Sequence, residues 1–116
     1  MPSPSPDRFH APQDRFWRVI DAALNRAREG ARVVEDFCRF VLDAPELTQR
    51  LKDWRHRLAH LPWPRDRMVA TRDTRGDVGT TARTEAEATR RDPWDIVRAN
   101  LARTTEAVRT LEEFTK

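Results

Sequence analysis

The sequence predicts an all-α protein, a helical bundle of three main helices within one domain. Its 116 residues include no tyrosine and only three glycines, and Arg, Ala and Glu are abundant, a composition typical of helical domains. Apolar residues recur at alternating spacings of three and four over long stretches, which is the period of an amphipathic helix. The first and third helices also share one pattern of charged residues, which indicates an internal repeat.

The first helix is predicted over about residues 12–43, because Pro12 can open a helix and an unbroken apolar stripe follows it. Residues 1–11 are rich in Pro and Ser and are expected to be disordered, so residues 12–116 form the single helical domain. A second apolar row widens the apolar arc to about half of the circumference, so this helix must be central or face a second subunit. The stripe consists of Trp17, Ile20, Leu24, Ala27, Ala31, Val34, Cys38 and Val41.

The second helix is predicted over about residues 45–60, where the sequence PWP ends it. The third helix is predicted over about residues 93–115, and its start is well marked. Asp92 can cap its N-terminus, Pro93 occupies the first helical position, and Asp95 supports the first turn. Residues 62–91 lack an apolar period and are predicted to form a loop, which at this length is usually disordered or functional.

The pattern R-x-x-E-x-x-R-x-x-E-[DE]-F occurs twice, as residues 26–37 and again as residues 103–114, at a constant offset of 77. Shared apolar spacing alone would mean only that two helices are similar. Shared charges at fixed positions indicate common descent or two copies of one half-site. Two such helices, related by a pseudo-twofold axis, can face each other and build one pocket from both.

Polar residues interrupt the apolar faces of both repeats. Arg26 falls inside the apolar arc of the first helix, Arg103 takes the equivalent position in the third, and Asn100 precedes it by one turn. A buried arginine requires an anion or a carboxylate, because an unpaired buried charge is costly. Gly30 and Ala107 lie one turn after these arginines, and such small residues admit either a neighbouring helix or a ligand.

Two interpretations of these positions remain open. In the first, the small residues mark a helix crossing, and Arg26–Glu29 and Arg103–Glu106 are ordinary pairs within each helix. In the second, both arginines bind a phosphate and the two glutamates orient them. The remaining acids of the repeats are expected on a solvated face; they are Glu35, Asp36, Glu112 and Glu113.

The loop segment RDTRGDVGT, residues 72–80, concentrates charged, hydroxyl and glycine residues. The carboxylates of Asp73 and Asp77 could hold Mg²⁺, and the backbone N–H groups of Gly76 and Gly79 could hold an anion. The alternative is a capped surface turn. No G-x-x-x-x-G-K-[ST] phosphate loop occurs anywhere in the chain.

Other functions are disfavoured by the distribution of residues. The net charge is +3, but the charges are interspersed and form no basic tract, which argues against nucleic-acid binding. Without a signal peptide or a long apolar run, we expect no membrane association and a cytoplasmic location. Cys38, the single cysteine, is expected to be buried, and the histidines do not cluster with it as zinc ligands would.

Three stretches in order resemble a helical domain of thiamine biosynthesis: IDAALNRAREGARVVEDFCRFVLD, RDTRGDVGT and ANLARTTEAVRTLEEFTK. That domain is fused ahead of thiamine-phosphate synthase in some bacteria, notably cyanobacteria, and also stands alone. The resemblance covers about residues 16–116. It implies an alternative hydroxymethylpyrimidine-phosphate kinase that uses ATP and Mg²⁺ to form the diphosphate. Ala23 departs from the family pattern, which has asparagine there; Asn100 retains it in the second repeat.

Combining this resemblance with the helix and loop arguments gives a set of candidate residues. The phosphates would be bound by Arg26, Arg72 and Arg103, and the pyrimidine by Asn100. Asp73 and Asp77 would hold Mg²⁺, so these two and Arg103 are the catalytic candidates. The substrate site would be completed by Glu29, Glu106 and Thr80.

Two readings from other functional classes remain beside the kinase. One is a non-catalytic helical module that binds the pyrimidine phosphate or docks onto thiamine-phosphate synthase. The other is a dimerising helical scaffold without a ligand. In the kinase reading as well, we expect a homodimer.

Overall fold

The computed structural model describes the backbone of residues 6–72, 77–79 and 89–116, and the side chains of these ranges from residue 15 onward. The described residues form four helices and no strand, which confirms the predicted all-α class. The helices are α1 (Pro6–Phe40), α2 (Pro45–Ala59), α3 (Arg65–Ala70) and α4 (Pro93–Phe114). None of these helices is long and apolar enough to cross a membrane.

Helix α1 is the central element, because α2, α3 and α4 all pack against it. This confirms one of the two positions that its wide apolar arc allowed. The innermost core joins three elements through side chains that are almost completely buried; they are Ile20, Ala23 and Leu24 of α1, Met68 of α3 and Leu111 of α4. Trp17, Leu58 and Trp63 pack around this cluster, and Cys38 is buried as expected.

The ends of α1 differ from the prediction. The helix begins at Pro6 rather than at Pro12, so residues 6–11 belong to α1 and not to a disordered tail. It ends at Phe40, before the predicted Asp43, which has a positive φ of 48°. A residue in this left-handed conformation ends an α-helix, and the N–H of Ala44 closes the turn by donating to the carbonyl of Cys38, 2.9 Å away.

The predicted loop 62–91 contains a helix that the sequence pattern did not reveal. Helix α3, Arg65–Ala70, is only six residues long, too short for an apolar period to be visible. Met68 anchors it in the core with 3% of its surface exposed. The turn before α3 is fixed by Trp63, whose indole N–H donates to the carbonyl of Leu58 at 2.8 Å.

The start of α4 follows the predicted pattern. Asp92 has an extended backbone, its side chain accepts from the N–H of Asp95 at 2.9 Å, and Pro93 opens the helix. The carboxylate of Asp95 in turn accepts from the backbone N–H of Arg91 at 3.0 Å. The hydrogen bond from the Arg98 side chain, followed by that from the Arg91 backbone, lowers the pKa of Asp95. The first turn is therefore held by two carboxylates.

Helices α1 and α4 run antiparallel, with an aromatic pair near each end of their contact. The rings of Phe16 and Phe114 lie 5.4 Å apart, and those of Phe37 and Trp94 lie 5.1 Å apart. Phe37 and Phe114 are equivalent under the offset of 77, so equivalent residues contact aromatic rings of the opposite helix. This arrangement is compatible with an internal repeat, which stays a prediction.

Between these aromatic pairs, α4 passes directly over Gly30. A Cβ at Gly30 would lie 2.9 Å from the backbone carbonyl oxygen of Asn100 and closer still to the Thr104 hydroxyl. These distances favour the helix-crossing interpretation of Gly30: the glycine makes room for a neighbouring helix. Ala27 of α1 and Ala107 of α4 are also buried, with at most 2% of their surface exposed.

Replacing Gly30 with alanine tests this close approach. Alanine is favoured over glycine in an open helix by about 1 kcal/mol. Here the added methyl group meets a backbone oxygen that cannot rotate away, so we expect Gly30→Ala to be destabilising by about 1–3 kcal/mol. Thermal unfolding followed by circular dichroism measures the change. Ala102→Gly, at an exposed position of α4, is the control for helix propensity alone. A Gly30→Ala protein at least as stable as the parent would contradict the crossing.

Candidate functional site

The structure does not bury the two arginines of the repeated pattern. Arg26 and Arg103 are both exposed, so the expectation of buried arginines is wrong. The buried line of α1 consists of small residues that let α4 come close, and long side chains at its margin extend to solvent. Arg103 lies 3.6 Å from Glu29 across the helix pair instead of pairing with Glu106 of its own helix. Arg26 and Glu106 form no ion pair with any described residue.

Asn100 and its counterpart Ala23 lie in different environments. The side-chain amide of Asn100 donates to the carbonyl of Ile96, one turn earlier in α4, at 2.8 Å. Ala23 is completely buried in the core. Binding of a pyrimidine by Asn100 stays a prediction, and in this conformation one of the two amide hydrogens is already used within the helix.

Of the loop residues predicted to bind phosphate and metal, Asp73, Gly76 and Thr80 lie outside the described part of the chain. Asp77 is exposed, and its carboxylate accepts from the N–H of Gly79 at 2.8 Å, as in the capped surface turn that was the alternative. Among residues whose positions the structure describes, no group of three His, Cys, Asp or Glu side chains could hold a metal ion.

Two adjoining depressions lie along the face of α1 that is turned towards α2 and α3, and Asn25 and Arg28 line both of them. We call them the inner and the outer depression. The inner one, of about 110 Å³, reaches α3 and is more enclosed; its further lining includes Asp21, Leu24, Arg65, Met68, Val69 and Arg72. The outer one, of about 490 Å³, is more open and is further lined by Glu29, Arg32, Val33 and Arg55.

Arg28, at the junction of the two depressions, is the least satisfied cation of the site. Its Nε is buried and has no hydrogen-bond partner. Buried polar groups in proteins are nearly always paired, because a missing hydrogen bond leaves the desolvation cost of the group uncompensated. Because Arg28 also lines both depressions, the remaining donors of its permanently charged guanidinium are suited to bind an anion there.

Two further arginines of the site are held by buried carboxylates. Arg72 donates from Nε and Nη2 to the two oxygens of Asp21, at 2.8 and 2.9 Å, and Asp21 is 6% exposed. This hydrogen-bonded charge raises the pKa of Arg72. The Nε of Arg55 lies 3.2 Å from the carboxylate of Glu35. Each guanidinium has five N–H donors, so both retain donors that these pairs do not use.

The burial of Glu35 corrects the sequence prediction. Glu35 was expected on a solvated face, but it is 3% exposed because α2 covers this side of α1 and supplies Arg55. Arg32 also lies 3.9 Å from Glu35 and 3.4 Å from Asp36. Glu112 and Glu113 are exposed, as expected.

Arg72 and Glu29, which line the two depressions, were among the candidates predicted from the sequence. The other polar residues of the lining were not. A signal was present: polar residues recur on α1 at spacings of three and four, on a line beside the apolar stripe. This polar line consists of Asp21, Asn25, Arg28, Arg32 and Glu35. The repeated pattern shares only Arg32 and Glu35 with this line, so the repeat did not indicate Asp21, Asn25 or Arg28.

The inner and outer depressions together form one arginine-lined groove along α1. Fold and site thus define an all-helical domain whose central helix carries a groove suited to phosphorylated ligands. Comparison with known families assigns it more closely. The ThiD2 family model matches residues 18–116, so the chain belongs to the ThiD2 family. No solved structure matches the chain.

The similar curated proteins are bacterial and are named thiamine-phosphate synthase. The chain is 49% identical over 102 residues to the protein of Prochlorococcus marinus strain MIT 9313, which covers 88% of this chain and 28% of that protein. It is 50% identical over 99 residues to the protein of Synechocystis, and this match covers 85% of this chain and 28% of that protein. The chain is 45% identical over 101 residues to the protein of Rhodopirellula baltica, and this match covers 85% of this chain and 27% of that protein. The chain thus spans little more than a quarter of these relatives, and the matches associate it with thiamine biosynthesis.

A matched pair of substitutions separates the unpaired arginine from a paired one. In Arg28→Met the aliphatic stem is kept and the unpartnered donor is lost, so we expect the thermal midpoint to stay unchanged or to rise. In Arg55→Met the carboxylate of Glu35 is left buried without its nearest cation, and we expect a loss of about 3 kcal/mol. Both are measured by thermal and urea unfolding.

The control for the pair is Arg50→Met. Arg50 and its partner Glu46 are largely exposed, so this substitution should change stability by less than about 1 kcal/mol. A large destabilisation by Arg28→Met would show that Arg28 has a structural partner and would contradict its assignment to an anion.

Proposed function

We propose that this chain is a kinase of thiamine biosynthesis that converts hydroxymethylpyrimidine phosphate to the diphosphate at the expense of ATP. The observation that carries the proposal is Arg28, which forms no hydrogen bond or ion pair with any described residue and lines a groove together with four further arginines. Family membership and the resemblance stated above supply the reaction, and the groove supplies a site with the required charge.

The reaction needs little from the protein beyond charge and position. An oxygen of the acceptor phosphate forms a bond to the γ-phosphorus of ATP, and the bond from that phosphorus to the bridging β-oxygen breaks, so that ADP leaves with the electron pair. A phosphate monoester is largely a dianion at neutral pH, so its oxygen needs no general base. The main obstacle is the repulsion between two anions, which arginines reduce.

The chain's own residues can meet this requirement in two ways. Arg28 and the arginines beside it would hold both phosphate groups in contact, and the buried carboxylates Asp21 and Glu35 would keep Arg72 and Arg55 in fixed orientations. Mg²⁺, when bound to the triphosphate, supplies further charge neutralisation. Asp73 and Asp77 stay the predicted ligands for it; the described residues include no metal-binding cluster.

A turnover assay tests the proposal. The purified protein is incubated with hydroxymethylpyrimidine phosphate, ATP and Mg²⁺, and the diphosphate is detected by phosphorus NMR. We expect product from the parent protein and a loss of about a hundredfold or more in Arg28→Met, because an arginine that stabilises a transferred phosphoryl group contributes at least this much. Arg50→Met, outside the groove, is expected to keep full activity. Absence of product from the folded parent protein would refute the kinase.

The second candidate is a non-catalytic module that docks onto thiamine-phosphate synthase. It is favoured by the finding that the curated relatives carry the matching segment within a longer chain that is named thiamine-phosphate synthase. Exposed apolar side chains at the end of α1 could contribute to such a contact, among them Phe40 and Val41, which are 67% and 61% exposed. The expected homodimer would draw on the same kind of surface.

The double variant Asp73→Asn/Asp77→Asn distinguishes the two candidates. A kinase that uses these carboxylates should lose turnover, because neutral amides bind Mg²⁺ far less well than carboxylates do. A docking module should keep its affinity for a thiamine-phosphate synthase from the same organism, measured by isothermal titration calorimetry. A ligand-free scaffold would show neither turnover nor a thermal shift with any phosphate compound.

A further inference from the structure

The two depressions differ in ways that match the two substrates of a phosphoryl transfer. We infer that the inner depression binds the phosphorylated pyrimidine and the outer depression binds the polyphosphate of the nucleoside triphosphate, with Arg28 contacting both phosphate groups. This inference rests on the proposed function and assigns each substrate class to a place in the groove.

The inner depression combines an apolar floor with cations at its rim. Leu24 and Met68 of the core close its floor, and Val69, which is 55% exposed, offers an apolar surface against which a small flat ring can pack. The carboxylate of Asp21, also in this lining, is an acceptor for the amino group of an aminopyrimidine, since the hydrogen bonds from Arg72 leave part of its acceptor capacity free. The guanidinium of Arg28 is then available to the phosphate, together with those donors of Arg65 that its hydrogen bond to the carbonyl of Ala59 does not use. A volume of about 110 Å³ suits a monocyclic ligand better than a nucleotide.

The outer depression is larger, more open and mostly charged. Its volume is about 490 Å³, and Val33 is the only aliphatic side chain of its lining. Three arginines, Arg28, Arg32 and Arg55, line it together with one carboxylate, that of Glu29. Arg32 and Arg55 also pair with acids beside the depression, whereas Arg28 forms no ion pair with any described residue. Glu29 also lies 3.6 Å from Arg103 of α4, so even this carboxylate has its own cation. Such a lining favours a chain of phosphate groups over a ring that needs an apolar surface.

Arg28 lines both depressions, so a phosphate in either one can reach its guanidinium. Its Nε has no hydrogen-bond partner among the described residues, and its guanidinium forms no ion pair with any of them, so no described residue competes with a ligand for this cation. A fork of five donors can contact two phosphate groups at once, and this brings the acceptor oxygen and the γ-phosphorus together at the junction. Phosphoryl transfer would thus take place at the junction of the two depressions, beside the guanidinium of Arg28.

Binding measurements with each substrate alone test the assignment. Isothermal titration calorimetry is carried out with hydroxymethylpyrimidine phosphate and, separately, with a non-hydrolysable ATP analogue and Mg²⁺. The variants Arg65→Ala and Arg32→Ala form a matched pair, because each removes an exposed arginine that lines only one depression.

We expect Arg65→Ala to weaken binding of the pyrimidine phosphate by about tenfold or more and to leave the ATP analogue within about twofold, since a charge-assisted hydrogen bond is lost for one ligand alone. Arg32→Ala is expected to show the opposite pattern, and Arg28→Met should weaken both. Arg50→Met is the control, and circular dichroism verifies that each variant is folded.

The outcomes separate this inference from the proposed function. If both ligands bind in the expected pattern but no product forms, the assignment of the two depressions is supported and the proposed kinase activity is refuted. If the parent protein turns over and Arg65→Ala and Arg32→Ala weaken the same ligand equally, or weaken neither, the kinase stands and the assignment of the depressions is wrong. A reversed pattern would exchange the two substrates and would likewise overturn the inference.

Discussion

The arrangement of charges along α1 links this central helix to α2 and to the segment after α3. Asp21, Arg28 and Glu35 follow one another at intervals of seven residues, or about two helical turns, on one face of the helix. Each of the two carboxylates is buried and is neutralised by an arginine from another element, Arg72 after α3 and Arg55 in α2. These ion pairs tie both elements to α1. They also leave Arg28, between the two acids, without a partner.

This arrangement explains why the groove stays cationic although acids and bases are nearly balanced in the chain. Asp21 and Glu35 each lie seven residues from Arg28, too far along the helix to be its neighbours. They pair with Arg72 and Arg55, and so orient further cations into the groove without cancelling the charge of Arg28. Burial makes each of these pairs costly to break, since removal of one partner leaves a charge with no solvent to stabilise it. Among the described residues of the groove, Arg28 thus has no ion pair, while Arg72 and Arg55 are paired.

The sequence predicted the parts of the fold that depend on regular patterns. The wide apolar arc of α1 indicated that this helix is central or faces a second subunit, and it is central. Asp92 and Pro93 marked the start of α4, because a helix cap is a local property of a few residues. The short helix α3 could not be predicted, since six residues show no period and its burial depends on a single side chain, Met68. The site was predicted only in part. Arg72 and Glu29 line the groove, but Arg26 and Arg103 are exposed, and the burial of Glu35 depends on where α2 packs.

Two faces of α1 have different roles. The face that contacts α4 includes Gly30, which lets two backbones approach closely and leaves no room for a ligand. The polar line on the neighbouring face contacts α2 and α3. The groove is therefore asymmetric, built from α1 together with the segment between α1 and α4. An asymmetric site is what a transfer between two different phosphate compounds requires, because donor and acceptor must be bound in distinct places on either side of the reacting phosphorus.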